Sequence, residues 1–203
     1  MNWLAHLYLS GNDPAMQIGN LLPDLLGPAE LRGTGPAYRA GIERHYQIDS
    51  FTDAHPLFRR STRRVGGELR RYGTIIVDVF YDHILSREWD RFSDTPREAF
   101  IQEFYRNLDR HLPHLPPLAA DRLTRLREEN WLGSYHDTGG VALTLRRISG
   151  RLRRPVALQE AVPALETDYP DFAADFDGFF PELRLHLAGR NHVQALADLE
   201  PFR

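Results

Sequence analysis

Apolar positions along this chain recur at helical rather than alternating spacing almost throughout, between breaks marked by proline and glycine. Ala15 to Leu26 predicts a short apolar helix, which Pro23 disturbs just before Asp24. After a loop from Gly27 to Gly35, Pro36 suits a first helical position, and a helix is predicted to about Thr52, ending before His55-Pro56. A basic helix over 57–71 leads through Gly66-Gly67 and Gly73 into an apolar stretch from Thr74 to Trp89. Thr74-Ile75-Ile76-Val77 has strand propensity, but Asp78 and Asp82 fit a period of 3.6, so helix is expected there. Asp94-Thr95-Pro96 starts a helix to about Leu112, and Pro113, Pro116 and Pro117 break it. Helices over 118–131, 136–150, 155–167 and 170–188 complete the pattern. With no repeat, low-complexity tract or long linker, residues 1–203 are expected to form one compact all-α domain of about eight or nine helices.

Two of these helices carry stripes of ionisable groups. His45, Asp49 and Asp53 fall at i, i+4 and i+8, and Asp78 and Asp82 at i and i+4. Both stripes are interleaved with apolar residues, so their helices should be at least half buried. Carboxylates are rarely buried without a positive partner, and a divalent metal is an economical one.

Composition narrows the chemistry. Among 203 residues there is no cysteine, which excludes disulfides, thiolate zinc sites, iron–sulfur clusters and cysteine nucleophiles. All 25 basic residues are arginine, which removes Schiff-base chemistry and the lysine of a Walker loop. Nine histidines remain beside carboxylates, arginines and hydroxyls, a set suited to magnesium, manganese, iron or zinc. A net charge of −3 gives no bulk attraction to nucleic acid. No apolar run approaches the roughly 20 residues that span a bilayer, and the opening residues lack the basic start of a signal peptide. A cytoplasmic protein is expected, with neither nucleic acid nor membrane as a partner.

Four blocks come in a characteristic order: Asn2-Trp3-Leu4-Ala5-His6-Leu7, Gly19-Asn20-Leu21-Leu22-Pro23-Asp24, Gly41-Ile42 with His45, Ile48-Asp49 and Thr52-Asp53, and Asp78-Val79 with Asp82-His83, Leu85-Ser86 and Trp89. Together they resemble the acyl carrier protein phosphodiesterase family over the first 90 residues or so, while the remainder matches only in length and helicity. The resemblance implies hydrolysis of the phosphodiester joining 4′-phosphopantetheine to a carrier-protein serine, with acyl carrier protein as the substrate and Mn²⁺ or Mg²⁺ as the cofactor. It also implies a distant relation to the helical His-Asp metal-dependent phosphohydrolases. The adjacent pair here is reversed, Asp82-His83, so ligand roles do not transfer in order.

The expected metal ligands are His6, Asp24, His45, Asp78 and Asp82. His6 gains its candidacy from the first block, since a lone histidine on an apolar segment is more often a satisfied core residue. Asp24 could equally cap a helix, but apolar neighbours on both sides make an unpaired carboxylate costly. For Asp78 and Asp82 the competing reading is a salt bridge to arginine. Asp49 and His83 are the candidates to orient water or protonate the leaving oxygen. Asp53, close to a helix C-terminus, is expected to be structural, and His55 at best supports the site. Arg59, Arg60, Arg63 and Arg64 form either a solvated face or a docking surface for an acidic carrier protein, and a second cluster, Arg146, Arg147, Arg151, Arg153 and Arg154, could serve instead. Two other functions fit the same stripes: a phosphohydrolase of nucleotides or other small phosphoesters, and a non-catalytic helical binding module stapled by a metal.

Overall fold

The computed structural model describes residues 1–197, and of 190–197 the backbone only. The described residues form twelve α-helices and no strand: α1 (Trp3–Tyr8), α2 (Pro14–Leu21), α3 (Pro28–Arg32), α4 (Arg39–Ala54), α5 (Pro56–Arg64), α6 (Gly73–Arg87), α7 (Arg97–His111), α8 (Pro117–Glu128), α9 (Trp131–Ser134), α10 (Thr138–Ser149), α11 (Val162–Thr167) and α12 (Tyr169–Ala197). The all-α expectation holds, and the larger helix count comes from short pieces. α1, α3 and α9 are six, five and four residues long, too short to show a period.

Local sequence explains most boundaries. Pro23 limits α2 to Leu21 and leaves a 3₁₀ turn over Leu22–Asp24. The expected basic helix over 57–71 stops at Arg64. Gly67 adopts φ +61°, and a 3₁₀ turn over Gly67–Tyr72 follows. Asn130, at φ 46°, separates α8 from α9 within the expected 118–131 helix. Thr74–Val77 is helical despite its strand propensity, because α6 is buried along nearly its whole length and packs against α1, α5, α10 and α12.

Two packing features position the functional residues. The first is the crossing of α2 and α4, where Gly19 and Gly41 face each other. A Cβ on Gly41 would lie 2.3 Å from the Met16 carbonyl oxygen and 2.7 Å from the Asn20 nitrogen, so only glycine permits this approach. The second is an aromatic layer in which Phe176 and Phe179 of α12 meet Tyr81 of α6. Beneath it Asp175 is fully buried. Its Oδ1 is paired with Arg60, its Oδ2 accepts from Ser61 Oγ at 2.8 Å, and Arg64 Nη2 lies 3.5 Å away. These bonds clamp α5 to α12.

Candidate metal and active site

Five ionisable side chains from different elements converge at one end of α6. His6 projects from α1, Asp24 from the turn after α2, His45 and Asp49 from successive turns of α4, and Asp78 from α6. Asp49 stands at the centre, with His6 Nε2 at 3.2 Å from its Oδ1 and His45 Nε2 at 3.0 Å from its Oδ2. Asp24 Oδ1 lies 3.9 Å from His45 Nε2. The two imidazoles stack with centroids 4.5 Å apart. His6, His45 and Asp49 each offer a ligand atom, all within 4.8 Å of one another.

Asn20 fixes both rings. Its Oδ1 accepts from His6 Nδ1 at 2.7 Å, and its main-chain oxygen accepts from His45 Nδ1 at 2.8 Å. Its own amide nitrogen donates to the His6 carbonyl at 2.9 Å and to Ser10 Oγ at 2.8 Å, which settles the orientation of the amide. With both Nδ1 atoms occupied as donors, each Nε2 either donates, to Asp49 and in His6 also to the Met1 main-chain oxygen at 3.1 Å, or turns a lone pair toward a cation. A carbonyl holding the distal N–H is the usual support for a metal-ligating histidine. Two such imidazoles beside hard carboxylate oxygens form a donor set that fits a divalent cation.

The electrostatics agree with a site built for positive charge. Burial pushes the Asp49 carboxyl up, but hydrogen bonds from His45 and His6 and the nearby Met1 ammonium outweigh this and hold it well below the usual carboxylate range. His45 is raised: burial opposes its charge, while Asp49 and Asp24 favour it more strongly. The Met1 ammonium is buried 2.7 Å from Asp78 Oδ1 and 3.7 Å from Asp49 Oδ1. Burial alone would lower its pKa, yet Asp78 and Asp49 raise it to about 10. Desolvation raises Asp78 even against that ammonium.

Asp82 and His83, expected at the centre, do other work. Both oxygens of Asp82 are taken by main-chain donors, Leu4 N at 2.7 Å, Asn2 N at 3.2 Å and Ala5 N at 3.3 Å, so this carboxylate closes the N-terminus of α1 rather than facing the imidazoles. Burial pushes its pKa up to about 7. His83 donates from Nδ1 to the Tyr135 carbonyl at 2.7 Å and packs edge-on to Tyr169. Asp53 is exposed at the end of α4, and His55 contacts Glu182 at 3.1 Å. In the basic run, Arg60 and Arg64 hold Asp175, Arg59 donates to the Asp53 carbonyl at 2.8 Å, and Arg63 is exposed. Half of that run therefore serves the fold, through a buried partner more than 100 residues away that no local pattern reveals.

Asp24 and Asp78 also line a cleft of about 230 Å³. Its opposite wall comes from the second half of the chain: Trp131, Tyr135, Thr144, Arg147 and Arg151. Trp3 Nε1 donates to Asp24 Oδ2 at 2.8 Å and its ring stacks on Trp131 at 5.6 Å, joining the two walls. Asn20 lay within the second sequence block, but its role depends on tertiary contacts, and nothing in the sequence pairs Trp131 with Trp3.

Fold and site together define a class: an all-α protein with a half-buried imidazole–carboxylate group at the foot of an aromatic, arginine-bearing cleft. The model of the family described as acyl carrier protein phosphodiesterase matches residues 1–183, and the chain belongs to this family of phosphodiester hydrolases. Its relatives include the acyl carrier protein phosphodiesterase of Photorhabdus laumondii, 33% identical over 183 residues that cover 89% of this chain and 92% of the relative. Those of Yersinia pestis and Salmonella agona are 30% and 32% identical, covering 90% and 93% of this chain and 95% and 98% of the relatives. No solved structure gives a significant match.

Proposed function

We propose that the protein hydrolyses the phosphodiester linking 4′-phosphopantetheine to the serine of an acyl carrier protein, with a divalent cation, Mn²⁺ or Mg²⁺, held by His6, His45 and Asp49 and by the neighbouring Asp24 and Asp78. The observation that carries this reading is the convergence of two imidazole Nε2 atoms on Asp49, beside a cleft, in a member of this family. The chemistry such a cation supplies is polarisation of a phosphoryl oxygen and acidification of water.

The side chains do the remaining work. Asn20 locks both rings with Nε2 toward Asp49, so the donors need little reorganisation. Asp49 is held ionised by its partners, so the oxygen not turned to the cation would accept from and orient the attacking water. Water adds to phosphorus, the bond from phosphorus to the serine oxygen breaks, and that oxygen takes a proton to regenerate apo carrier protein. On the outer side of α5, Arg63 and the exposed part of Arg59 are placed to steer an acidic partner.

Mass spectrometry of holo carrier protein incubated with the protein and Mn²⁺ tests the reading. Apo carrier protein is the expected product, and Asp49→Asn should slow its formation by at least about 10²-fold. Hydrolysis of nucleotide phosphodiesters with no conversion of holo carrier protein would favour a small-phosphoester enzyme. Tight Mn²⁺ binding without turnover on either substrate would leave a non-catalytic module.

A further inference from the structure

The cleft wall opposite the carboxylates presents an arrangement that the metal group does not use. Arg147 lies in the last turn of α10, and Arg151 follows four residues on, just past the helix end. The Arg147 guanidinium lies over Trp131 at 4.5 Å, and that of Arg151 over Trp3 at 5.7 Å and Trp131 at 6.0 Å. Arg147 Nη2 donates to Glu129 at 2.7 Å, but its Nη1 is buried without a hydrogen-bond partner. Among the described residues Arg151 has no carboxylate or carbonyl partner, although it reaches solvent at the cleft. Desolvation, together with the nearby Arg122 charge, disfavours the Arg151 cation. Arg122 is itself tied to the Leu25 carbonyl at 2.9 Å and cannot swing away freely. The Asp24 carboxylate favours the Arg151 cation but makes no ion pair with it, and Arg147 keeps an orphaned buried N–H, so an anion between the two guanidinium groups would gain partners from both.

We propose that Arg147 and Arg151 bind the phosphoryl oxygens of the substrate, and that the stacked Trp3–Trp131 pair receives the apolar carbon framework attached to that phosphate. The inference rests on the hydrolase reading above and specifies how its substrate is held. The chemistry matches on both counts. Guanidinium groups bind phosphate through paired, charge-assisted hydrogen bonds. In 4′-phosphopantetheine the carbon two bonds from the phosphate oxygen bears two methyl groups, a compact apolar unit that an indole face accommodates. Small-ligand sites usually occupy about 300–1,000 Å³, so a cleft of about 230 Å³ takes the phosphate and this first unit while the rest of the arm lies over the rim. Asp24 and Asp78, which also line the cleft, would repel the same anion if their charge were not offset, and the arginines and the proposed cation offset it together.

Direct binding separates this subsite from the reaction. The free product, 4′-phosphopantetheine, and its phosphate-free analogue pantetheine are titrated against the tryptophan fluorescence of the protein, in parallel with holo carrier protein turnover. The phosphorylated compound should bind more tightly and alter the emission. Arg151→Met keeps the apolar stem over the indoles and removes the charge; it should weaken 4′-phosphopantetheine binding roughly 10- to 100-fold and leave pantetheine unaffected. Arg151→Lys should recover part of that loss, because it restores charge without the planar fork. Arg147→Met should weaken binding in the same direction, with circular dichroism confirming the fold. Wild-type affinity in both methionine variants, with normal turnover of holo carrier protein, would overturn the subsite and leave the proposed reaction intact. Arginine-dependent binding by a wild-type protein that converts no holo carrier protein would support the subsite and refute the reaction.

Discussion

Gly41→Ala makes the sharpest test of how the site is assembled. The added Cβ would sit 2.3 Å from the Met16 carbonyl oxygen, 2.7 Å from the Asn20 nitrogen and 2.7 Å from Gly19 Cα. All three atoms belong to the α2 backbone, so no side chain can rotate to make room. Ordinary carbon–heavy-atom contacts lie near 3.5–4.0 Å, so α2 and α4 must separate by about 1 Å. Overpacking typically costs 1–3 kcal/mol, and a clash against backbone belongs at the upper end, about 3 kcal/mol. For a chain of this size that lowers the melting temperature by roughly 6–12 °C. The shift also pulls Asn20 from His45, stretching the 2.8 Å bond that holds the ring. Losing such a support typically costs 10- to 100-fold in metal affinity. Differential scanning calorimetry of metal-free protein and Mn²⁺ titration by isothermal calorimetry give the two numbers. A variant within about 1 kcal/mol of wild type that also binds Mn²⁺ normally would refute the claim that glycine-mediated contact sets the geometry.

Three further substitutions separate structural from functional charges. Asp82→Asn should retain Mn²⁺ affinity, because the carboxylate it replaces caps α1. Its folded pKa of about 7 exceeds the ordinary 3.8, so the folded state holds the proton longer than the unfolded one, and stability should fall as pH rises between those values. That difference corresponds to at most about 4 kcal/mol, and urea unfolding from pH 4 to 8 should show a flatter profile in the variant. Parallel profiles with a tenfold loss of Mn²⁺ affinity would make Asp82 a ligand after all. In the basic run, Arg64→Ser should destabilise the fold by roughly 1–2 kcal/mol, because Arg60 and Ser61 still hold the buried Asp175, whereas Arg63→Ser should leave the urea midpoint unchanged and flatten the salt dependence of carrier-protein binding. Equal behaviour of the two variants in both assays would remove the distinction.

The sequence revealed the larger helices because each buries a continuous face with period 3.6, and it revealed the pairing of His45 with Asp49 because both lie one turn apart on one helix. Helix α1 escaped: six residues contain less than two turns, and the cap that holds it, Asp82, is 78 residues from its closest partner, Leu4. The same long-range bond explains why Asp82 looked like a ligand. Its stripe on α6 is real, but Asp78 turns to the Met1 ammonium beside Asp49 and Asp82, one turn on, meets a helix end. His83 points about 100° round the helix from Asp82, and its Nδ1 meets the Tyr135 carbonyl instead. Family resemblance supplied His6, and the apolar neighbours of Asp24 supplied that carboxylate; no periodicity marks either. The cleft wall carrying Trp131, Arg147 and Arg151 was illegible beyond a charge run, because its meaning comes from stacking on Trp3 at the other end of the chain.

The division of the site between two stretches of chain has a consequence for its birth on the ribosome. Every proposed metal donor, from His6 to Asp78, precedes the residues of the opposing wall, from Trp131 to Arg151. At 5–20 residues per second, the last wall residue is made roughly 4–15 s after the last donor. During that interval the nascent chain carries the proposed donors but lacks the far wall of the cleft. If those donors hold a cation as proposed, a newly made chain can meet metal before it can hold a substrate.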